Sequence, residues 1–153
     1  MSVVDVGAEA PDFELRDQRA QSHRLSSYRG KKNVVLVFYP FAFTGVCTGE
    51  MGAIRDDLTS LQNDETQVLA ISCDTVAALR VFAERENLDY PLLSDFWPHG
   101  EVARAYGVFN EGLGAAERGT FIIDRQGVIR WSVRTSISDA RAIGDYQKAL
   151  ADL

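Results

Sequence analysis

Cys47 is the residue of this chain best suited by type and place to carry out chemistry. It is one of two cysteines; the other is Cys73, and no Cys-x-x-Cys pair occurs. The thiolate, not the thiol, is the nucleophile, and a helix N-terminus favours it through unpaired N–H groups and the positive end of the dipole. Met51, Ile54, Leu58 and Leu61 recur at helical spacing, so an amphipathic helix is predicted from Cys47 to about Leu61, with Cys47 in its first turn. Thr44 upstream offers a hydroxyl that can both donate and accept, and Pro40 brings no N–H. A free cysteine also serves as a small buried hydrophobe, and position alone leaves both readings open. Two cysteines are too few for a disulfide-stapled scaffold, and with His23 and His99 isolated they are too few for structural zinc.

The elements that must position Cys47 follow from the apolar pattern. Asn33–Pro40 and Gln67–Ser72 are near-continuous apolar runs, as expected of strands buried on both faces of a sheet. Between and after them come the Cys47 helix and a second helix over Thr75–Asn87, with Leu79, Phe82 and Ala83 on one face. Tyr90–Leu93 is a short apolar segment, and Glu101–Tyr106 a short helix. Asn110–Gly119 reads as a loop. Thr120–Asp124 and Val128–Val133 form a hairpin closed at Gly127, predicted to add antiparallel strands at the sheet edge. Asp139 is the expected cap of a last helix to about Ala151. Strand, helix, strand, helix, hairpin, helix implies an α/β three-layer sandwich with a mixed central sheet flanked by helices. A thioredoxin-like fold matches best, while pattern alone leaves a flavodoxin-like arrangement open.

The 153 residues fit a single domain spanning 1–153. Hydrophobic residues make up 46% and charged residues 25%, the balance of a globular protein. The net charge of −6 argues against nucleic acid as a partner. No apolar run approaches the ~20 residues of a membrane span. The opening residues carry no secretion-signal pattern, so a cytoplasmic location is expected.

Pro40-x-x-x-Thr44-x-x-Cys47 resembles the peroxidatic motif of the peroxiredoxins. Each member has a physical task there. Thr44 can bridge the thiolate and a peroxide oxygen, Pro40 shields the sulfur from water, and the N–H groups of the helix start hold the second oxygen. Arg118, just before a strand in Arg118-Gly-Thr-Phe-Ile-Ile-Asp124, matches the arginine that this family brings to the reactive sulfur. A fixed positive charge there favours the thiolate. The opening Gly7–Phe13, Val35–Pro40 and Pro91–Asp95 are also similar to the family. Leu93–Gly100 with Ala105–Asn110 is similar to its one-cysteine actinobacterial subgroup, the alkyl hydroperoxide reductase E type.

That resemblance implies reduction of hydrogen peroxide and organic hydroperoxides through a Cys47 sulfenic acid, without metal, flavin, haem or other cofactor. It implies an external thiol reductant, such as a glutaredoxin-like protein, thioredoxin or mycothiol, and a homodimer packed through loops around the site. Glu50 reads either as an orienter of the arginine or as an ordinary first-turn acid. Cys73 ends a parallel strand on the side of the sheet expected for Cys47, so a resolving role is conceivable, subject to the close Cα approach that a disulfide needs. Trp97, Phe43 and Phe109 are candidates for an apolar entrance, or for core or interface. A dithiol oxidoreductase of the same fold is disfavoured by Glu50 where a second cysteine belongs, and by Thr120 where a cis-proline would stand. A redox sensor or holdase using the same thiol is the remaining alternative.

Overall fold

The two apolar runs are adjacent central strands in the computed structural model, which describes residues 2–153. A short hairpin, β1 (Glu14–Arg16) and β2 (Ser22–Arg24), precedes β3 (Asn33–Phe38). Helix α1 (Gly45–Asp56) leads to β4 (Thr66–Ser72), α2 (Val76–Glu86) and β5 (Leu92–Ser94). Then follow α3 (Glu101–Ala105), the two-residue strands β6 (Phe109–Asn110) and β7 (Ala115–Ala116), β8 (Arg118–Ile123), β9 (Ile129–Thr135) and α4 (Ile143–Ala151). The main sheet has the order β2-β1-β5-β4-β3-β8-β9, with β3, β4 and β5 parallel and the other pairs antiparallel. This is the mixed sheet of a thioredoxin-like α/β fold.

Alternation along the strands divides the interior into two cores. Val35, Val37, Val68, Ala70 and Leu92 face α1, α2 and α4 with Met51, Phe82 and Tyr146. Leu36, Phe38, Leu69, Ile71 and Leu93 face the opposite way, against α3 and the aromatic group Tyr106, Phe109 and Phe121. Helices on both faces explain why β3 and β4 read as unbroken apolar runs rather than as alternating ones.

Four expectations are corrected. Helix α1 ends at Asp56, and a separate 3₁₀ turn over Leu58–Ser60 carries the apolar spacing on to buried Leu61. The Thr120–Val133 hairpin does not lie wholly at the edge, because β8 pairs with β3 and only β9 is outermost. The predicted loop 110–119 contains the turn and three of the four strand residues of the β6–β7 hairpin, and the first two residues of β8. Asp139 does not cap α4; its carboxylate accepts from the Ser136 hydroxyl at 2.7 Å, and the helix begins after Ala142 without a side-chain cap.

Candidate active site

The β3–α1 loop leaves the carboxyl end of a central parallel strand, where open α/β sheets place their ligands. Thr44 is the N-cap of α1 and Cys47 the third helical residue. The Thr44 hydroxyl does not cap: it donates to the Phe41 carbonyl at 2.7 Å. Among the described residues the N–H groups of Val46 and Cys47 therefore have no acceptor, leaving two orphan donors beside the sulfur. Pro40 is buried at the strand end, and Cys47 is 0% exposed.

Arg118, first residue of β8, reaches this point from the neighbouring strand. Its Nη1 donates to Cys47 Sγ at 3.3 Å and to Glu50 Oε1 at 2.6 Å, while its Nε donates to the Ile137 carbonyl at 2.7 Å. Glu50, one turn after Cys47, is buried between two arginines. Arg141 donates to it through Nε at 2.8 Å, Nη2 at 2.9 Å and its own backbone N–H at 2.7 Å. Burial raises the Glu50 carboxyl, but the Arg141 hydrogen bonds and charge, joined by the Arg118 charge, outweigh it and hold the group below its usual range. The Arg141 Nη1 continues to Thr120 Oγ1 at 3.0 Å, which meets the Tyr146 hydroxyl at 2.8 Å. The network thus runs from α1 through β8 to α4.

Comparison with known proteins bears directly on this constellation. The AhpC/TSA family model matches residues 6–132. The chain is 49% identical over 151 residues to alkyl hydroperoxide reductase E of Mycobacterium tuberculosis, covering 99% of each protein. The chain belongs to the AhpC/TSA family, the peroxiredoxins. It is also 35% identical to the chloroplastic 2-Cys peroxiredoxin BAS1 of Spinacia oleracea, covering 97% of this chain and 59% of that one. Among solved structures it matches peroxidoxin BcpB of M. tuberculosis with a TM-score of 0.81 and 36% identity, over 95% of this chain and 94% of that one. As a peroxiredoxin it is a thiol-dependent peroxidase.

The structure brings Arg118 and Glu50 to Cys47, whereas the Thr44 hydroxyl makes its hydrogen bond within the loop. Of the two readings of Glu50, the geometry is that of an orienter, since its carboxylate is taken up by two guanidinium groups. Arg141 was invisible in the sequence reading. It sits in an unpatterned segment, 91 positions from Glu50, and no local spacing links them. Cys73 and Cys47 are both free, and they lie in different cores, on opposite faces of the sheet. Burial, with the nearby Asp95 charge, pushes the Cys73 thiol up to about 12, which disfavours the nucleophilic thiolate form.

Of the three aromatics proposed for an entrance, Phe109 is core, stacked 4.0 Å beneath the Arg104 guanidinium. Phe43 is half-exposed and Trp97 is 80% exposed. Among the described residues no group of three or more His, Cys, Asp or Glu side chains could hold a metal ion, and no helix is long and apolar enough to cross a membrane.

Proposed function

We propose that Cys47 is the peroxidatic residue, with Arg118, Thr44 and Pro40 as its partners. The observation that carries this reading is the buried 3.3 Å contact between Arg118 Nη1 and Cys47 Sγ. Two buried arginines and one carboxylate leave one positive charge in excess, and a Cys47 thiolate balances it. The thiolate attacks the nearer oxygen of ROOH. The S–O bond forms to the O–H oxygen, which keeps its hydrogen, as the O–O bond breaks, and a proton from solvent neutralises the departing alkoxide, giving Cys47–SOH and ROH. Arg118 and the free N–H groups of Val46 and Cys47 stabilise charge on the departing oxygen. Thr44, its own proton committed to Phe41, accepts the hydrogen bond of the peroxide O–H. Pro40 closes the pocket without adding a donor.

Recycling is assigned to an external thiol, because Cys73 is on the other face of the sheet and its thiolate form is disfavoured. The first thiol condenses with the sulfenic acid, releasing water and leaving a mixed disulfide. A second thiol, from a glutaredoxin-like protein, thioredoxin or mycothiol, restores Cys47. Organic hydroperoxides join hydrogen peroxide as substrates, in line with the name of the mycobacterial relative. A reducing, cytoplasmic setting suits such a cycle. Steady consumption of peroxide with a continuous thiol supply, lost in Cys47→Ser, is the expected result. A single stoichiometric oxidation without turnover would instead identify a sensor.

A further inference from the structure

The loop that delivers Cys47 holds a conformation it would not adopt unaided. Phe43 lies at φ 72°, in the left-handed region that residues bearing a Cβ disfavour. Its ring meets Phe82 of α2 edge-on at 5.1 Å, with the Arg85 guanidinium of the same helix 5.9 Å from its centroid, but remains half-exposed. Such strain persists where the surroundings over-determine it. Two hydrogen bonds flank Phe43. The downstream one, from Thr44 to Phe41, lies within the loop and would move with it. The upstream one is different in kind: the Ala42 N–H donates to Asp74 Oδ2 at 2.9 Å. Among the described residues it is the one hydrogen bond that ties Phe41–Phe43 to another part of the chain.

Asp74 is itself fixed. The Ser72 hydroxyl donates to the same Oδ2 at 2.6 Å, and the Ser94 hydroxyl donates to the Asp74 carbonyl at 2.6 Å. Ser72 and Ser94 end β4 and β5 and pair in register, so the carboxylate is anchored to the sheet's carboxyl edge. We propose that Asp74 is a positioning residue for peroxide reduction, latching the Pro40–Thr44 loop so that Cys47 stays buried beside Arg118 while it reacts. This rests on the reading of Cys47 as the attacking thiolate. Peroxide reduction needs the sulfur held against Arg118 and the helix-start N–H groups, whereas labelling by a bulky thiol-reactive reagent needs the loop to open, because Cys47 is fully buried. Loosening the latch therefore drives the two reactivities of one sulfur in opposite directions.

The test uses the full chain and follows two rates at Cys47: oxidation by hydrogen peroxide in stopped flow, and labelling by a bulky maleimide, mapped by peptide mass. In Asp74→Ala, labelling of Cys47 is expected to rise about tenfold and peroxide oxidation to fall by a similar factor, the scale of one lost charge-assisted hydrogen bond. Labelling of Cys73, buried on the opposite face, should change far less. Asp74→Asn keeps an acceptor for the Ala42 N–H and should return both rates toward the parent values. Ser72→Ala, which loosens the carboxylate without removing it, should shift both in the Asp74→Ala direction by a smaller factor; it carries the test if Asp74→Ala does not fold. Unchanged Cys47 labelling in the folded variants, or Cys73 labelling rising in parallel with Cys47, would overturn the latch. Peroxide oxidation undiminished in Cys47→Ser would overturn the reading of Cys47 instead, with the labelling still reporting on the loop.

Discussion

At the scale of single residues, the site is a charge-balancing problem solved by burial. Arg118→Ala removes a preorganised donor from the sulfur, and the rate of Cys47 oxidation is expected to fall about 10²–10³-fold. The fold should survive, because Arg141 alone still makes three hydrogen bonds to Glu50. A parent-like stopped-flow rate in that variant would remove Arg118 from the chemistry. Glu50→Ala is the opposite case. It strands two buried guanidinium groups and should cost about 3–5 kcal/mol in a urea melt. Because the folded protein holds the Glu50 carboxyl below its usual range, its contribution is present above the ordinary carboxyl pKa and lost as pH falls below it. Glu50→Gln should therefore flatten the acid limb of the stability profile, and an acid limb identical to the parent's would contradict that account. Arg118 was legible because it abuts an apolar strand in a recognisable position. Arg141 was not, since its credentials are contacts with Glu50, 91 positions away, and with Thr120.

At the scale of elements, legibility follows burial. Strands β3 and β4 are covered on both sides and wrote themselves into the sequence as apolar runs. Strands β1 and β2 did not: Glu14-Leu-Arg16 and Ser22-His-Arg24 are three residues each and largely polar. The internal place of β8 was equally unreadable, because pairing with β3 is chosen by the sheet and not by the hairpin. Asp139 failed as a cap because its side chain turned back to Ser136. Asp95 does the capping work at α3, accepting from the N–H groups of Val102 at 3.1 Å and Ala103 at 2.9 Å. Burial pushes its carboxyl up to about 6, with Glu101 adding to the shift while the two N–H groups and His99 oppose it. The native state thus keeps a proton that the unfolded chain has released, and stability is lost as pH rises from about 4 to about 6, by on the order of 2–3 kcal/mol. Asp95→Asn should abolish that slope in denaturant melts taken across the interval. A slope that persists in the variant would assign it to another group.

At the scale of the whole molecule, the same edge of the sheet gathers Cys47 and the exposed aromatics. Phe41 and Phe43 follow β3, and Phe96 and Trp97 follow β5, all with substantial exposed surface. Apolar surface concentrated around a site is the mark of an interface, and a second copy of the chain is its proposed occupant. Sedimentation should show a concentration-dependent dimer that Trp97→Glu weakens; a parent that stays monomeric at all concentrations would refute this. Cys73 faces the other core, so oxidation of the whole molecule by one equivalent of peroxide should add one oxygen and form no internal disulfide. The most direct measurement is single-turnover oxidation of the reduced protein by hydrogen peroxide and by an organic hydroperoxide, in the parent and in Cys47→Ser. Rapid, stoichiometric oxidation of the parent by both peroxides and none in the variant is the predicted result. Equal reactivity of the two proteins would contradict the assignment of Cys47.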